Sequence, residues 1–182
     1  MTRLLSQLMA CAVTLALLAA PAQAEKLKAV ASFSILGDMV QQVTGDLASV
    51  TTIVGPDADA HVYTPNVNDA RAVTEADVIF VNGLGFETWS KTLIDTSGTK
   101  AKVYIATESM TPLKVDGETD PHAWNALTNG VIYVQNIAKA LAEVDPNNAK
   151  TYETNAAAYI AELEAVHKHT VAELAALPKD RR

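Results

Sequence analysis

Leu27-Lys28-Ala29-Val30-Ala31-Ser32-Phe33-Ser34-Ile35-Leu36-Gly37-Asp38-Met39-Val40, followed shortly by Ala48-Ser49-Val50-Thr51-Thr52-Ile53-Val54, decides the fold of this 182-residue chain. Leu27 to Phe33 is short, apolar and rich in β-formers, and reads as a strand. Ser34 can then cap a helix running through about Val43, because Ile35, Leu36, Met39, Val40 and Val43 recur at helical spacing. Gly45-Asp46 ends that helix, and Ala48 to Val54 reads as a second strand.

Downstream the alternation repeats. Gly55-Pro56-Asp57 stops the second strand and opens a loop that carries His61. A short helix is predicted from about Val67 to Ala76, with Asp69 near its positive N-terminal end. Val78 to Val81 is a third, wholly apolar strand, broken by Asn82-Gly83. A helix from about Glu87 to Thr96 leads to a fourth strand, Lys102 to Ala106, after which Glu108 to Asp120 reads as a polar loop. Strands alternating with helices predict an α/β, Rossmann-like lobe: a four-stranded parallel sheet with helices on its faces.

A helix from about Leu127 to Val144 follows. Asp145 is placed to cap a second helix, with Pro146 at its first position. On that helix Ala149, Tyr152, Ala156, Tyr159, Leu163, Val166, Thr170, Leu174 and Leu177 step by threes and fours. One continuous helix here is about 45 Å long, the length of a spine spanning two lobes. The expected organisation is therefore a lobe over 25–145 and a long linker helix over 146–182.

Upstream, Met1 to Ala24 reads as a cleavable secretory signal: Arg3 supplies the positive start, Leu8 to Ala20 the apolar run, and Ala22-Gln23-Ala24 the cleavage site. The run is too short and wrongly flanked for a membrane span, so a soluble exported protein is expected. Cys11 is the only cysteine, and most of the apolar run follows it, which argues against lipid anchoring. Without Cys11 neither disulfides nor thiolate metal sites are available. Removing Arg3 with the signal takes the net charge from −7 to −8. No basic stripe remains to hold nucleic acid.

Two turns carry the candidate chemistry. In Asp120-Pro121-His122-Ala123-Trp124, Pro121 restricts its own φ and biases Asp120 away from helix. In His61-Val62-Tyr63-Thr64-Pro65 a second histidine sits in a proline-bounded turn. Ligands of open parallel sheets lie beyond the carboxyl ends of the strands. His61 follows the second strand and His122 the fourth, so both fall at that edge. Neutral imidazole is the commonest metal ligand, and Asp120 is placed to orient His122 by accepting its other N–H. Taken singly, His61 reads more readily as a solvated or helix-capping loop residue, and Asp120 as an N-cap or turn residue, a role that can coexist with orienting His122.

Asp57, Asp59, Glu108, Asp116 and Glu118 are further carboxylates able to fill a coordination shell. His167 and His169 stand two apart on a helix, do not face each other, and read as structural. Gly83 and Gly85 lack the third glycine of a dinucleotide fingerprint and read as a close turn. No serine elbow, paired catalytic carboxylates or phosphate loop is present. A zinc hydrolase is the rival reading, since three protein ligands and an open water position suit metal-assisted hydrolysis, but no base neighbours either histidine. A surface adhesion module without metal is a third.

At these residues the chain resembles the solute-binding proteins of zinc and manganese ABC importers, the metal-specific cluster in which two lobes are joined by a rigid helix. The resemblance runs through Ser32-Phe33-Ser34-Ile35-Leu36-Gly37-Asp38, His61-Val62-Tyr63-Thr64-Pro65, Val81-Asn82-Gly83-Leu84-Gly85-Phe86-Glu87 and Asp120-Pro121-His122-Ala123-Trp124. It implies that the first lobe's ligands are His61 and His122, and that two more come from a second lobe, absent from this sequence. It implies a periplasmic protein, not an enzyme, that captures Zn²⁺ or alternatively Mn²⁺ and delivers it to a membrane ABC permease. Two histidines favour zinc over the harder manganese. The loop from Glu108 to Asp120 has no histidine-rich insertion.

Overall fold

The computed structural model describes residues 25–181; the signal sequence expected over 1–24, with Cys11, lies outside them. Four strands, β1 (Leu27–Phe33), β2 (Ala48–Val54), β3 (Val78–Val81) and β4 (Lys102–Ile105), form one sheet in the order β2-β1-β3-β4. Every pairing is parallel, with Leu27 opposite Ala48, Ala29 opposite Val78, and Val78 opposite Lys102. The parallel sheet read from the strand–helix alternation is the one observed.

Period-two alternation sends neighbouring strand residues to opposite faces, and both faces are covered. Val30, Ile79 and Val81 line one small cavity with Val73 of helix α2 (Val67–Glu75) and Leu93 and Ile94 of helix α3 (Ser90–Ser97). On the other face Phe80 and Tyr104 meet Asn136 and Ala140 of α4 (Leu127–Val144). There α1 (Ser34–Thr44), α4 and α5 (Ala149–Ala175) pack together. Two-sided cover explains why Ala29 to Phe33 and Val78 to Val81 are unbroken buried runs. The largest wholly buried side chains, Tyr133, Tyr152, Phe80 and Leu36, lock the helical layer to the sheet.

Four local expectations are corrected. Ser34 does not cap α1: the N-cap residue is Phe33, which makes no side-chain cap bond. The third helix begins at Ser90 and not near Glu87, because the Glu87 carboxylate turns inward to accept from Ser32 Oγ at 2.6 Å and Asn82 N–H at 2.5 Å. The Glu108–Asp120 loop holds a small hairpin, β5 (Lys114–Val115) with β6 (Glu118–Thr119). Its Asp116-Gly117 corner has φ of +53° and +87°, the Asp-Gly pair such a two-residue turn favours. Finally, Pro146–Asn148 is a 3-10 turn before α5. The Asp145 carboxylate accepts from Asn148 Nδ2 and Tyr152 Oη, both at 2.7 Å, in place of helix N–H groups.

Helix α5 has 27 residues, which at the standard rise is about 40 Å. Tyr152, Ala156 and Leu163 are buried, whereas Val166, Val171 and Leu174 are about half exposed. Its first half therefore docks on the lobe and its second half runs past it. Among the described residues no helix is long and apolar enough to cross a membrane.

Candidate metal site

All four parallel strands send a residue to one place at their carboxyl ends. Phe33 closes β1, His61 follows β2, Phe86 follows β3, and His122 with Trp124 follows β4. Phe33 and Phe86 are buried, and their rings stand 5.1 Å apart. Trp124 lies against both, at 4.7 and 4.6 Å between ring centres. This aromatic floor carries the two imidazoles: His61 packs on Phe86 at 4.7 Å and His122 on Trp124 at 5.3 Å.

The imidazoles meet through their Nε2 atoms, 3.0 Å apart. The partners assign the protons. His122 Nδ1 lies 2.7 Å from Asp120 Oδ1, and a carboxylate only accepts, so Nδ1–H donates. In the neutral ring His122 Nε2 then carries the lone pair and accepts from His61 Nε2–H. Asp120 also accepts the backbone N–H of His122 at 2.9 Å. That bond, then the ring bond, holds its carboxyl below the usual carboxylate value.

The structure thus brings His61, His122 and Asp120 together as the spacing suggested. Asp57, Glu108, Asp116 and Glu118 do not join them: among the described residues no third His, Cys, Asp or Glu completes a group able to hold a metal ion. His167 and His169 lie exposed on α5.

Three supports of the His61 loop escaped the sequence reading. Asp59 Oδ1 accepts the His61 backbone N–H at 2.8 Å, repeating the turn at Asp120–His122. Trp89 Nε1 donates to the Ala60 carbonyl at 2.7 Å. Tyr63 Oη donates to the buried Asp69 at 2.9 Å, where the carboxylate also accepts Asn66 N–H in the capping box of α2. The repeated Asp-x-His spacing was a visible signal for Asp59. Trp89 lies 29 residues from Ala60, and nothing local in the chain announces that bond.

The family described as ZnuA, zinc-uptake complex component A, periplasmic, matches residues 29–182. The chain belongs to the ZnuA family. MntA of Halalkalibacterium halodurans, named a manganese-binding lipoprotein, is 38% identical over 159 residues, which is 87% of this chain and 53% of MntA. MtsA of Streptococcus pyogenes serotype M1, named an iron ABC transporter substrate-binding lipoprotein, is 37% identical over 172 residues, 88% of this chain and 56% of MtsA. The Mn-bound periplasmic metal binding protein of Candidatus Liberibacter asiaticus superposes with a TM-score of 0.71 at 40% identity, covering 76% of this chain and 53% of that one.

This ZnuA-family chain spans about half the length of the curated relatives it matches. Their names describe a manganese-binding lipoprotein and a substrate-binding lipoprotein of an ABC transporter, not enzymes. They also correct one expectation: both are lipoproteins by name, so the argument against lipid anchoring is withdrawn. It rested only on how the apolar run is divided around Cys11, and that division does not outweigh relatives this similar. The zinc preference is likewise narrower than the family, whose members are named for zinc, manganese and iron.

Proposed function

We propose that this chain is the metal-capturing lobe, residues 25–145, and linker helix, 146–182, of a substrate-binding protein that loads a divalent transition metal outside the cytoplasm for an ABC permease. The observation that carries the reading is the facing pair of Nε2 atoms at 3.0 Å on a rigid aromatic floor. Two imidazole nitrogens on one tetrahedral zinc stand about 3.3 Å apart at ordinary bond lengths. Opening the observed pair by a few tenths of an ångström therefore makes a two-nitrogen chelate.

The chemistry follows from the tautomers. His122 already presents its lone pair, because Asp120 holds its proton on Nδ1. His61 must give up its Nε2 proton, to solvent or to its own Nδ1, and the metal then replaces the hydrogen bond between the rings. In a protein of the relatives' length the remaining ligands come from the portion beyond this chain. Among the metals named for the family, zinc is the best match to the imidazole pair, since it ranks above manganese and iron in affinity for nitrogen sites. Acid releases the metal, because protonated imidazole cannot coordinate.

The test is calorimetric titration of Zn²⁺ and Mn²⁺ into the chain and into a His61→Ala, His122→Ala double variant. Zinc binding lost in the double variant, with manganese weaker throughout, supports the reading. Equal binding by both proteins overturns it.

A further inference from the structure

Beneath the His122 turn lies a buried amide. Asn82, wholly buried at the end of β3, donates from Nδ2 to the carbonyls of Pro121 and Gly83, each at 3.0 Å. Its Oδ1 accepts from Tyr133 Oη of α4. The amide has one orientation only, since two carbonyls demand the N–H₂ on their side and a phenol donates on the other. Burial, with the Glu87 charge nearby, raises the Tyr133 phenol above its ordinary value, keeping it a donor.

The Asn82 backbone is held as firmly as its side chain. Its N–H donates to Glu87 Oε1 at 2.5 Å, and its carbonyl accepts from Thr107 Oγ1 at 2.7 Å. Gly83 N–H donates to Glu87 Oε2 at 3.3 Å. Gly83 itself has φ +82°, and a Cβ there would stand 2.6 Å from Ile105 Cγ2.

We infer that Asn82 is a positioning residue for the two-imidazole site: through the Pro121 carbonyl it fixes the turn on which His122 rides, and so sets the spacing between His122 and His61. Pro121 immediately precedes His122, so a shift of its carbonyl is passed to the imidazole with no intervening rotatable residue. Asp120 orients the ring about its own bonds. Asn82 places the turn relative to the sheet, which also anchors the other histidine. Two hydrogen bonds from one amide thus connect metal geometry to α4, through Tyr133.

This rests on the metal-capturing reading above, and the test separates the two. Asn82→Asp keeps the shape but sets an oxygen against two carbonyls; Tyr133→Phe leaves the Pro121 bond and frees the amide's other end. Zinc affinity is measured by calorimetry for both, in the parent chain and in a His122→Ala background, and the Nε2–Nε2 separation is read from crystal structures. Expected are losses of about tenfold for Asn82→Asp and about threefold for Tyr133→Phe, the scale of one buried hydrogen bond or less. Neither loss recurs with His122→Ala, and the imidazoles move apart from 3.0 Å. Equal losses in both backgrounds, or an unchanged separation in the variants, overturn the inference. Should Asn82→Asp fail to fold, Tyr133→Phe carries the same two readouts. If His61→Ala, His122→Ala leaves zinc binding intact, the metal reading fails, while the crystallographic separation still decides the role of Asn82.

Discussion

The two histidine-bearing turns reach the same point by different means. The His122 turn is controlled at the ring: Asp120 takes both its backbone N–H and its Nδ1–H, and Asn82 fixes the carbonyl just before it. Around His61 the supporting bonds hold the loop, while the ring itself packs on Phe86 and meets His122. Asp59, Trp89 and Tyr63 tie down the chain on either side, but among the described residues no carboxylate bonds the His61 ring. His61 is also the more exposed of the two. One arm is therefore ready to donate its lone pair, while the other must change tautomer and adjust. Under the proposed metal-capturing reading, loading then asks one ring to move while the other stays in place.

The contrast predicts unequal costs. Asp120→Ala should weaken zinc binding about 10–100-fold, the usual effect of removing a carboxylate that orients a ligating imidazole. Competition with a chelator of known affinity measures it. Trp89→Phe keeps an aromatic ring against Tyr63 but removes the bond to Ala60; a loss of about 1 kcal/mol, or fivefold in affinity, is expected. Asp59→Ala, which touches no ring, should cost about twofold or less. Equal losses for Asp120→Ala and Asp59→Ala would mean that both turns are controlled at the backbone, and the contrast would fail.

Acid titration gives the smallest effect. The folded pKa of Asp120 is lowered from 3.8, so its contribution to stability is complete above that ordinary value and is lost as pH falls through the lower folded value. Thermal melts of metal-free wild type and Asp120→Ala should differ at neutral pH and converge below the folded value. A difference that persists at the acid limit would show that Asp120 acts through packing and not through its charge.

Much of this was legible in the chain because the strongest signals are local. The apolar runs at Leu27–Phe33 and Val78–Val81 read as strands, their alternation with helices reads as a parallel sheet, and each candidate histidine follows a strand. What stayed hidden works over distance or inverts a local habit. Glu87 carries the mark of a helix start but is buried as an acceptor for Ser32 and the backbone of Asn82. The bonds of Trp89 to Ala60 and of Asn82 to Pro121 were not legible, since these partners lie 29 and 39 residues away. Asp116-Gly117 was a readable hairpin corner inside a segment whose polarity suggested a plain loop.

The most direct test of the central claim is the X-ray absorption spectrum of the zinc-loaded chain at the zinc edge. Two imidazole nitrogens at about 2.0–2.1 Å, with the multiple-scattering pattern of histidine, are predicted for the wild type and should be absent from the His61→Ala, His122→Ala variant. A first shell of oxygen alone, identical in the two proteins, would contradict the account and remove the metal role from the facing pair.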